Sequence, residues 1–511
     1  MSTRICVPIV ERTLSACRDA LSAASEKADI IELRLDYLDD LDERNPSSQI
    51  ESLIAAANGP LILTFRPSEQ GGARQINRET RVQLWANLCS LFKSRPSLLC
   101  DLEWDIIAEI PAEIIKPDQR IASYHNFNDS VARESEIFRF LLNQPAKLIK
   151  IAVAGNEITD CIRVKQMIEQ STSDGRQMIG IVMDEPGIIS RVLGPGWGSY
   201  LTFASIASSK ASASGQLTVD TLNRLYRIGN ISDRTIVTGL IGNPVSQSMS
   251  PSMHNAAFAG RNIDGVYIPM LVGDLKEFIK RMIHPVSREL DWNLRGLSVT
   301  IPHKVNIIPL LDELTDTAKS VGAVNTVIVD GSKLVGDNTD VRGFLAPLDK
   351  TLDLKNARAS VLGTGGAARA VVYGLVKAGA EVTVFGRRRE MAAMLASEFG
   401  TRTADWNSLG GDSFDLVVNA TSTGMVGDKS DDAVFEKTVT NCRLFYDLVY
   451  NPIETRLMRT ASAAGVKVIG GLGMLVSQGA EQFRIWTGND APHEIMMEAA
   501  LNKLRASDRV D

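Results

Sequence analysis

The sequence predicts an α/β protein, an N-terminal (β/α)8 barrel followed by a two-lobed α/β unit. Eight short apolar runs alternate with helix-spaced stretches over the first 207 residues, the arithmetic of a closed parallel barrel. A second series of β/α units begins at Thr235, after the polar stretch Arg227–Arg234. A third series, punctuated by glycine-rich turns, begins near residue 357. A chain of 511 residues is also too long for one core, so two to four domains are expected.

The barrel strands are expected at 4–10, 29–35, 60–66, 97–103, 119–125, 147–153, 177–183 and 200–207, with helices over 12–26, 79–93, 130–143 and 157–169. An open doubly wound sheet has the same periodicity and is the competing architecture. The second series places strands at 235–242, 265–271, 294–300 and 324–329, again in β/α order. The third places them at 357–363, 380–386, 414–421, 443–450 and 467–471, and a helical tail runs from Met474 to Ala506. The domains expected are 1–228, 233–340 completed by 474–506, and 341–473.

Composition excludes several classes. Apolar residues make up 44% and charged residues 23%, and the net charge of −6 gives no electrostatic footprint for nucleic acid. Cys6, Cys17, Cys89, Cys100, Cys161 and Cys442 are scattered, without CxxC pairs or histidines at ligand spacing, so no metal site is expected and reduced thiols fit a cytoplasmic protein. No signal peptide, transit segment or 18-residue apolar run is read, so neither secretion nor a membrane is expected.

Val361-Leu362-Gly363-Thr364-Gly365-Gly366-Ala367-Ala368 follows an expected strand and opens an expected helix. Gly363 and Gly365 permit a tight turn and close approach to a pyrophosphate, with Gly366 and Ala367 starting a helix whose free N–H groups favour an anion. Alone the motif is weak, since glycine turns are common between strands and helices. The next strand ends in Arg387, Arg388 and Arg389, where an NAD binder would place an acid. Arginines there attract a 2′-phosphate, which favours NADP and a Rossmann-like lobe. Arg389 reads equally well as a solvated corner.

Further groups gather in loops of the second series. Ser248 and Ser250 precede His254, Thr300 ends an expected strand that Lys304 follows, and Asn325 and Asp340 stand in GAVNT and DNTD. A lysine coupled to an aspartate can protonate a carbonyl oxygen as hydride arrives. Singly, each group reads more simply as a surface loop residue. Together, VTIPHK, GAVNT, DNTD, GTGGAAR, NATSTGM (419–425), Tyr450-Asn451-Pro452 and GMLVSQGA (473–480) resemble shikimate dehydrogenases over about 237–485. The resemblance implies that Lys304 and Asp340 are the catalytic pair. It implies that Ser248, Ser250, Thr300, Asn325, Tyr450 and Gln478 hold the substrate, and that Asn419 and Thr421 lie along the cofactor. His254 and His303 are read as structural, His284 and His493 as solvated.

In the barrel, Glu32 and Arg34 end strand two, Arg66 ends strand three and His125 ends strand five; Arg191, Ser212 and Gln216 follow strands seven and eight. Lys150 lies inside an apolar strand, where an unpaired ammonium is costly and a neutral amine would attack a ketone. The alternative is a packed stem whose amine pairs with an acid at the barrel mouth. The order ELRLD, TFR, SYHNF, KIAV, SR and SASGQ resembles type I 3-dehydroquinate dehydratases over about 4–226. That resemblance implies a Schiff base on Lys150, His125 as base and then acid, and Arg191 on the substrate carboxylate. Glu32, Arg34, Arg66, Ser212 and Gln216 would complete the binding site. Gln70 stands where the family has Glu, which implies altered tuning of His125, and Ser214 stands where it has Pro.

The two resemblances imply one chain that dehydrates 3-dehydroquinate to 3-dehydroshikimate and reduces that to shikimate with NADPH. Two alternatives stay open at this point: a dehydrogenase half that prefers quinate, and a non-catalytic sensor of pathway metabolites. Oligomeric state is left open.

Overall fold

The computed structural model describes residues 3–128, 131–207, 209, 211–427 and 433–507. A first compact unit runs through Thr235 and includes Met270–Met282 and Glu289–Asn293; the second holds Ile236–Pro269, Ile283–Arg288 and the chain from Leu294 onward.

The first unit contains β1 (Ile5–Ile9), β2 (Ile30–Arg34), β3 (Leu61–Thr64), β4 (Leu99–Glu103), β5 (Arg120–Asn126), β6 (Leu148–Val153), β7 (Gln177–Val182) and β8 (Thr202–Phe203). Parallel pairing runs in the order β8-β1-β2-β3-β4-β5-β6-β7. The Tyr200 N–H donates to the Met178 carbonyl (2.7 Å), so the chain entering β8 meets β7 and the sheet curls into a barrel rather than an open sheet. The strands are buried on both faces, which is why they read as unbroken apolar runs. β8 is shorter than the apolar run 200–207 suggests, because Ser205 leaves the ladder to pair with Thr218. The stretch 79–93 is two helices, Arg78–Asn87 and Cys89–Ser94, broken at Leu88. A helix at Ser47–Ala56, which buries Ile50, Leu53 and Ile54 at helical spacing, was not anticipated.

The second unit holds two sheets. The first comprises β9 (Ile236–Gly242), β10 (Gly265–Leu271), β11 (Leu294–Val299), β12 (Glu313–Leu314), β13 (Thr326–Asp330) and β14 (Lys333–Asp337), in the order β10-β9-β11-β13-β14-β12. It departs from the expected β/α alternation: β13 runs antiparallel to both β11 and β14. The cause is local, a hairpin turn at Gly331-Ser332 with Gly331 at φ 57°. The hairpin register sets Thr326 opposite Asp337, so the residues just outside it, Asn325 and Asn338-Thr339-Asp340, come together.

The other sheet comprises β15 (Arg358–Leu362), β16 (Glu381–Phe385), β17 (Arg402–Ala404), β18 (Phe414–Asn419), β19 (Cys442–Asp447) and β20 (Lys467–Ile469). It is wholly parallel in the order β17-β16-β15-β18-β19-β20. This is the Rossmann-like order, with its switch point between β15 and β18, where ligands of such sheets bind. Val361, Val371, Leu375, Val384, Leu416 and Tyr446 fill the core under its helices. The helix Leu472–Thr487 returns to the β9–β14 sheet, where Trp486 Nε1 donates to the Val327 carbonyl (3.1 Å). Among the described residues no helix is long and apolar enough to cross a membrane.

Candidate active sites

The C-terminal ends of the barrel strands enclose a cavity of about 280 Å³ lined by Glu32, Arg34, Arg66, His125, Lys150, Arg191, Ser212 and Gln216. Strand pleating explains the convergence: Ser123 pairs with Lys150 and His125 with Ala152, so Lys150 and His125 stand two residues apart along one face of β5 and β6. Lys150, only 3% exposed, donates to Asp101 Oδ2 (2.8 Å) and to Glu32 Oε1 (3.4 Å), and its amine lies 4.5 Å from the centre of the Phe203 ring. The amine is therefore paired, the second of the two sequence readings. Asp101 also takes Arg66 Nη2 (2.7 Å) and the Ser123 hydroxyl. Burial would raise its carboxyl, but Lys150 and Arg66 outweigh burial and hold it well below the usual carboxylate range.

Behind Arg66 lies Glu103, fully buried, with Arg66 Nε at 3.5 Å and Arg81 Nη1 at 3.3 Å; burial and the neighbouring Asp101 push its carboxyl up to about 8. Arg34 forms a bidentate pair with Asp36 (2.9 and 2.7 Å). His125 is buried, its Nδ1 lacks a hydrogen-bond partner, and its backbone N–H donates to Gln70 Oε1 (2.9 Å). Burial, then the charges of Arg66 and Lys150, keep the imidazole well below its ordinary pKa, which leaves it a neutral base. Ser212 N–H donates to Gln216 Oε1 (2.8 Å), which ties the ends of the loop after β8.

In the second unit a cavity of about 410 Å³ is lined by Ser248, Ser250, Thr300, Lys304, Asn325, Asp340, Tyr450 and Gln478, and by Ala367 of the glycine-turn helix. Lys304 pairs with Asp340 Oδ2. Asn325 Nδ2 donates to Asp340 Oδ1 (2.7 Å) and lies 3.4 Å from Gln478 Oε1. A buried chain supports them: Tyr267 donates to Ser298 (2.7 Å), Ser298 to Gln482 Oε1 (2.8 Å), and Gln482 Nε2 to Thr326 Oγ1 (2.9 Å). Thr326 in turn donates to Asn325 Oδ1 (2.8 Å), so the Asn325 amide can face Asp340 only with its N–H group.

The glycine turn fits a dinucleotide. Gly363, at φ 125°, packs so closely that a Cβ would stand 2.8 Å from the Ala420 carbonyl, whereas a Cβ on Gly365 would meet nothing within 4 Å. The helix Gly366–Lys377 points its free N–H groups at that open space. A Cβ on Gly366 would stand 3.2 Å from Lys304 Cδ, which places the lysine beside the turn. Arg387 and Arg388 are exposed at the end of β16, and Arg389 approaches Asp405 at 3.9 Å.

Some expectations change. Asn419 faces inward: its amide donates to Thr423 O (3.0 Å) and Asp447 Oδ1 (2.9 Å) and accepts from Thr421, so it shapes the turn carrying Thr421. His284 is partly exposed and lies 3.2 Å from Asp312, while His493 is exposed and lies 3.4 Å from Ser477 Oγ. His254 is buried and stacks on Tyr267 at 4.3 Å, and His303 is buried, in keeping with structural roles. Sequence reasoning missed Asp101, Glu103, Ser298 and Gln482. Only the acids ending the β4 run and the serine two places before Thr300 carried any signal.

Fold and cavities define an α/β enzyme that joins a barrel lyase to an oxidoreductase. The type I 3-dehydroquinase model matches residues 5–233, the shikimate dehydrogenase substrate-binding domain 240–327, and the shikimate 5'-dehydrogenase C-terminal domain 471–501. The bifunctional 3-dehydroquinate dehydratase/shikimate dehydrogenase, chloroplastic, of Arabidopsis thaliana is 32% identical over 96% of this chain and 83% of that protein. The shikimate dehydrogenase (NADP(+)) of Oleidesulfovibrio alaskensis is 46% identical over 50% of this chain and 90% of that one. A crystal structure of the dehydroquinate dehydratase and shikimate dehydrogenase from S. pombe is 24% identical, covers 98% of each chain and has a TM-score of 0.44. The chain belongs to the bifunctional 3-dehydroquinate dehydratase/shikimate dehydrogenase family.

Proposed function

We propose that residues 1–228 dehydrate 3-dehydroquinate through a Schiff base on Lys150. Residues 233–340 with 474–506 would bind 3-dehydroshikimate, and 341–473 would bind NADPH. The observation that carries the reading is that each cavity holds one lysine paired with a carboxylate, at the mouth of a barrel in one case and beside a dinucleotide turn in the other.

In the barrel the Lys150 amine attacks the ketone carbon after giving up a proton, with Asp101 and Glu32 the carboxylates beside it. Loss of water leaves an iminium, which acidifies the adjacent C–H. His125 takes that proton, and the resulting enamine expels the ring hydroxyl as His125 returns the proton to it. Water then cleaves the iminium and frees the lysine. Arg191 holds the carboxylate, while Glu32, Arg34, Arg66, Ser212 and Gln216 fix the ring.

In the dehydrogenase Gly363, Gly365, Gly366 and Ala367 cradle the pyrophosphate of NADP, Arg387 and Arg388 receive its 2′-phosphate, and Thr421 lines its path. Bound NADPH supplies the hydride. Lys304 gives its proton to the ketone oxygen, and Asp340 fixes where the ammonium stands. Ser248, Ser250, Thr300, Asn325, Tyr450 and Gln478 hold the ring. We place the protein in the cytoplasm, in the shikimate route of aromatic amino acid biosynthesis. The quinate and sensor readings are not favoured, because the relatives are named as enzymes acting on dehydroquinate and shikimate.

A coupled assay with 3-dehydroquinate and NADPH tests the whole. Wild type should form shikimate, Lys150→Ala should consume nothing, and Lys304→Ala should accumulate 3-dehydroshikimate. Borohydride with substrate should label wild type and spare Lys150→Ala; a label that persists in the variant refutes the Schiff base.

A further inference from the structure

The wall of the barrel cavity contains a residue whose backbone does not suit its side chain. Asp184, just past β7, lies at φ 61° and ψ −177°. Glycine enters that region freely, while other residues enter it only under strain. The conformation serves a contact: Asp184 N–H donates to the Ser214 carbonyl (3.2 Å), and a Cβ on Gly215 would stand 2.4 Å from Asp184 O. The turn after β7 is thus docked backbone to backbone on the loop that carries Ser212 and Gln216. Glycine at 184 would make the same contacts without strain, so it is the carboxylate that needs a reason.

That carboxylate is half-buried and lines the cavity with Arg191. Arg191 is only 2% exposed, and its Nε has no hydrogen-bond partner. Its Nη2 donates to the Ser214 carbonyl (3.1 Å), a neutral group. Burial pulls the guanidinium down to about 10, and Asp184 is the first charge acting against that pull. The molecule therefore keeps a buried cation facing the cavity and a strained anion beside it on the rim.

We propose that Asp184 is a counter-charge for Arg191, which offsets the guanidinium while no anion is bound and weakens its hold on a bound carboxylate. The proposal rests on the reading of Arg191 as the carboxylate-binding group. Dehydration leaves the carboxylate in place, so substrate and product present the same anion to the same guanidinium. A fixed negative charge nearby lowers the affinity for both by a similar factor, and release of product is what gains.

The test uses the full chain with 3-dehydroquinate and no NADPH, so that dehydration alone is followed. KM for 3-dehydroquinate and Ki for 3-dehydroshikimate are compared in wild type, Asp184→Asn, Asp184→Gly and Asp184→Ala. Both constants should fall about fivefold in all three variants, and added salt should narrow the gap to wild type. Asp184→Gly should melt above Asp184→Ala, since only glycine relaxes the backbone. Unchanged constants in Asp184→Asn would overturn the proposal, and raised ones would instead make Asp184 a direct substrate ligand. Failure of the underlying reading is distinguishable: Arg191→Ala would then leave KM and Ki where they were, whatever the Asp184 variants did.

Discussion

Asp340 receives the Lys304 ammonium on one carboxylate oxygen and the Asn325 amide on the other. Replacing the carboxylate with an amide leaves an acceptor for only one of these two donors. Asp340→Asn should lower kcat for 3-dehydroshikimate reduction by about 10²-fold, within the range for loss of acid–base assistance. KM for NADPH should stay near wild type. Steady-state NADPH oxidation checks both, and a full kcat would exclude the pair from proton transfer.

The dehydratase should have an unusual acid limb. His125 is held below its ordinary value of 6.5, so the neutral base persists as pH falls through the usual histidine range. The rate of dehydration should therefore stay level there and decline only at lower pH. Gln70 sits on the His125 backbone N–H, and Gln70→Glu would bring a negative charge beside the imidazole and favour its protonated form. Its limb should move to higher pH, as pH–rate profiles of the two proteins would register.

Asp101 ties acid stability to the same cavity. Its folded-state carboxyl lies below its unfolded value because Lys150 and Arg66 overcome the effect of burial. The stability it contributes is present above the ordinary carboxylate range and is lost as pH falls through that range toward the folded value. Asp101→Asn should lower Tm at neutral pH, and the gap to wild type should shrink on acidification. Thermal melts across pH measure this directly; a constant gap would contradict the assignment.

Cofactor choice should reside in two exposed side chains. Arg387→Ala combined with Arg388→Ala should raise KM for NADPH about tenfold or more, the loss of charge-assisted contacts to a phosphate, and leave KM for NADH nearly unchanged. Parallel titrations with the two cofactors decide it.

The parallel sheets were legible because strands buried on both faces leave apolar runs, and the amines and His125 because their motifs are short and local. The β13–β14 hairpin was harder: Lys333–Asp337 buries only part of its face, and its one local cue is the Gly331-Ser332 turn after Asp330. The partners of Asp101 and Gln482 were not legible, for a different reason. Asp101 meets Lys150 across 49 positions of sequence and Gln482 meets Thr326 across 156, so both contacts exist only through strand register and helix docking. Asn419 shows the converse, a motif residue whose amide is spent on its own turn.

Gly366 begins the helix that faces the dinucleotide, and its missing side chain leaves the space into which the Lys304 stem is folded. A methyl group at that point would stand 3.2 Å from Lys304 Cδ, so the lysine stem would have to shift slightly to admit it. Tuning of the helix entrance for a different nucleotide and tuning of the ammonium for a different ketone are thereby made one problem, so variants selected for either trait should drift in both.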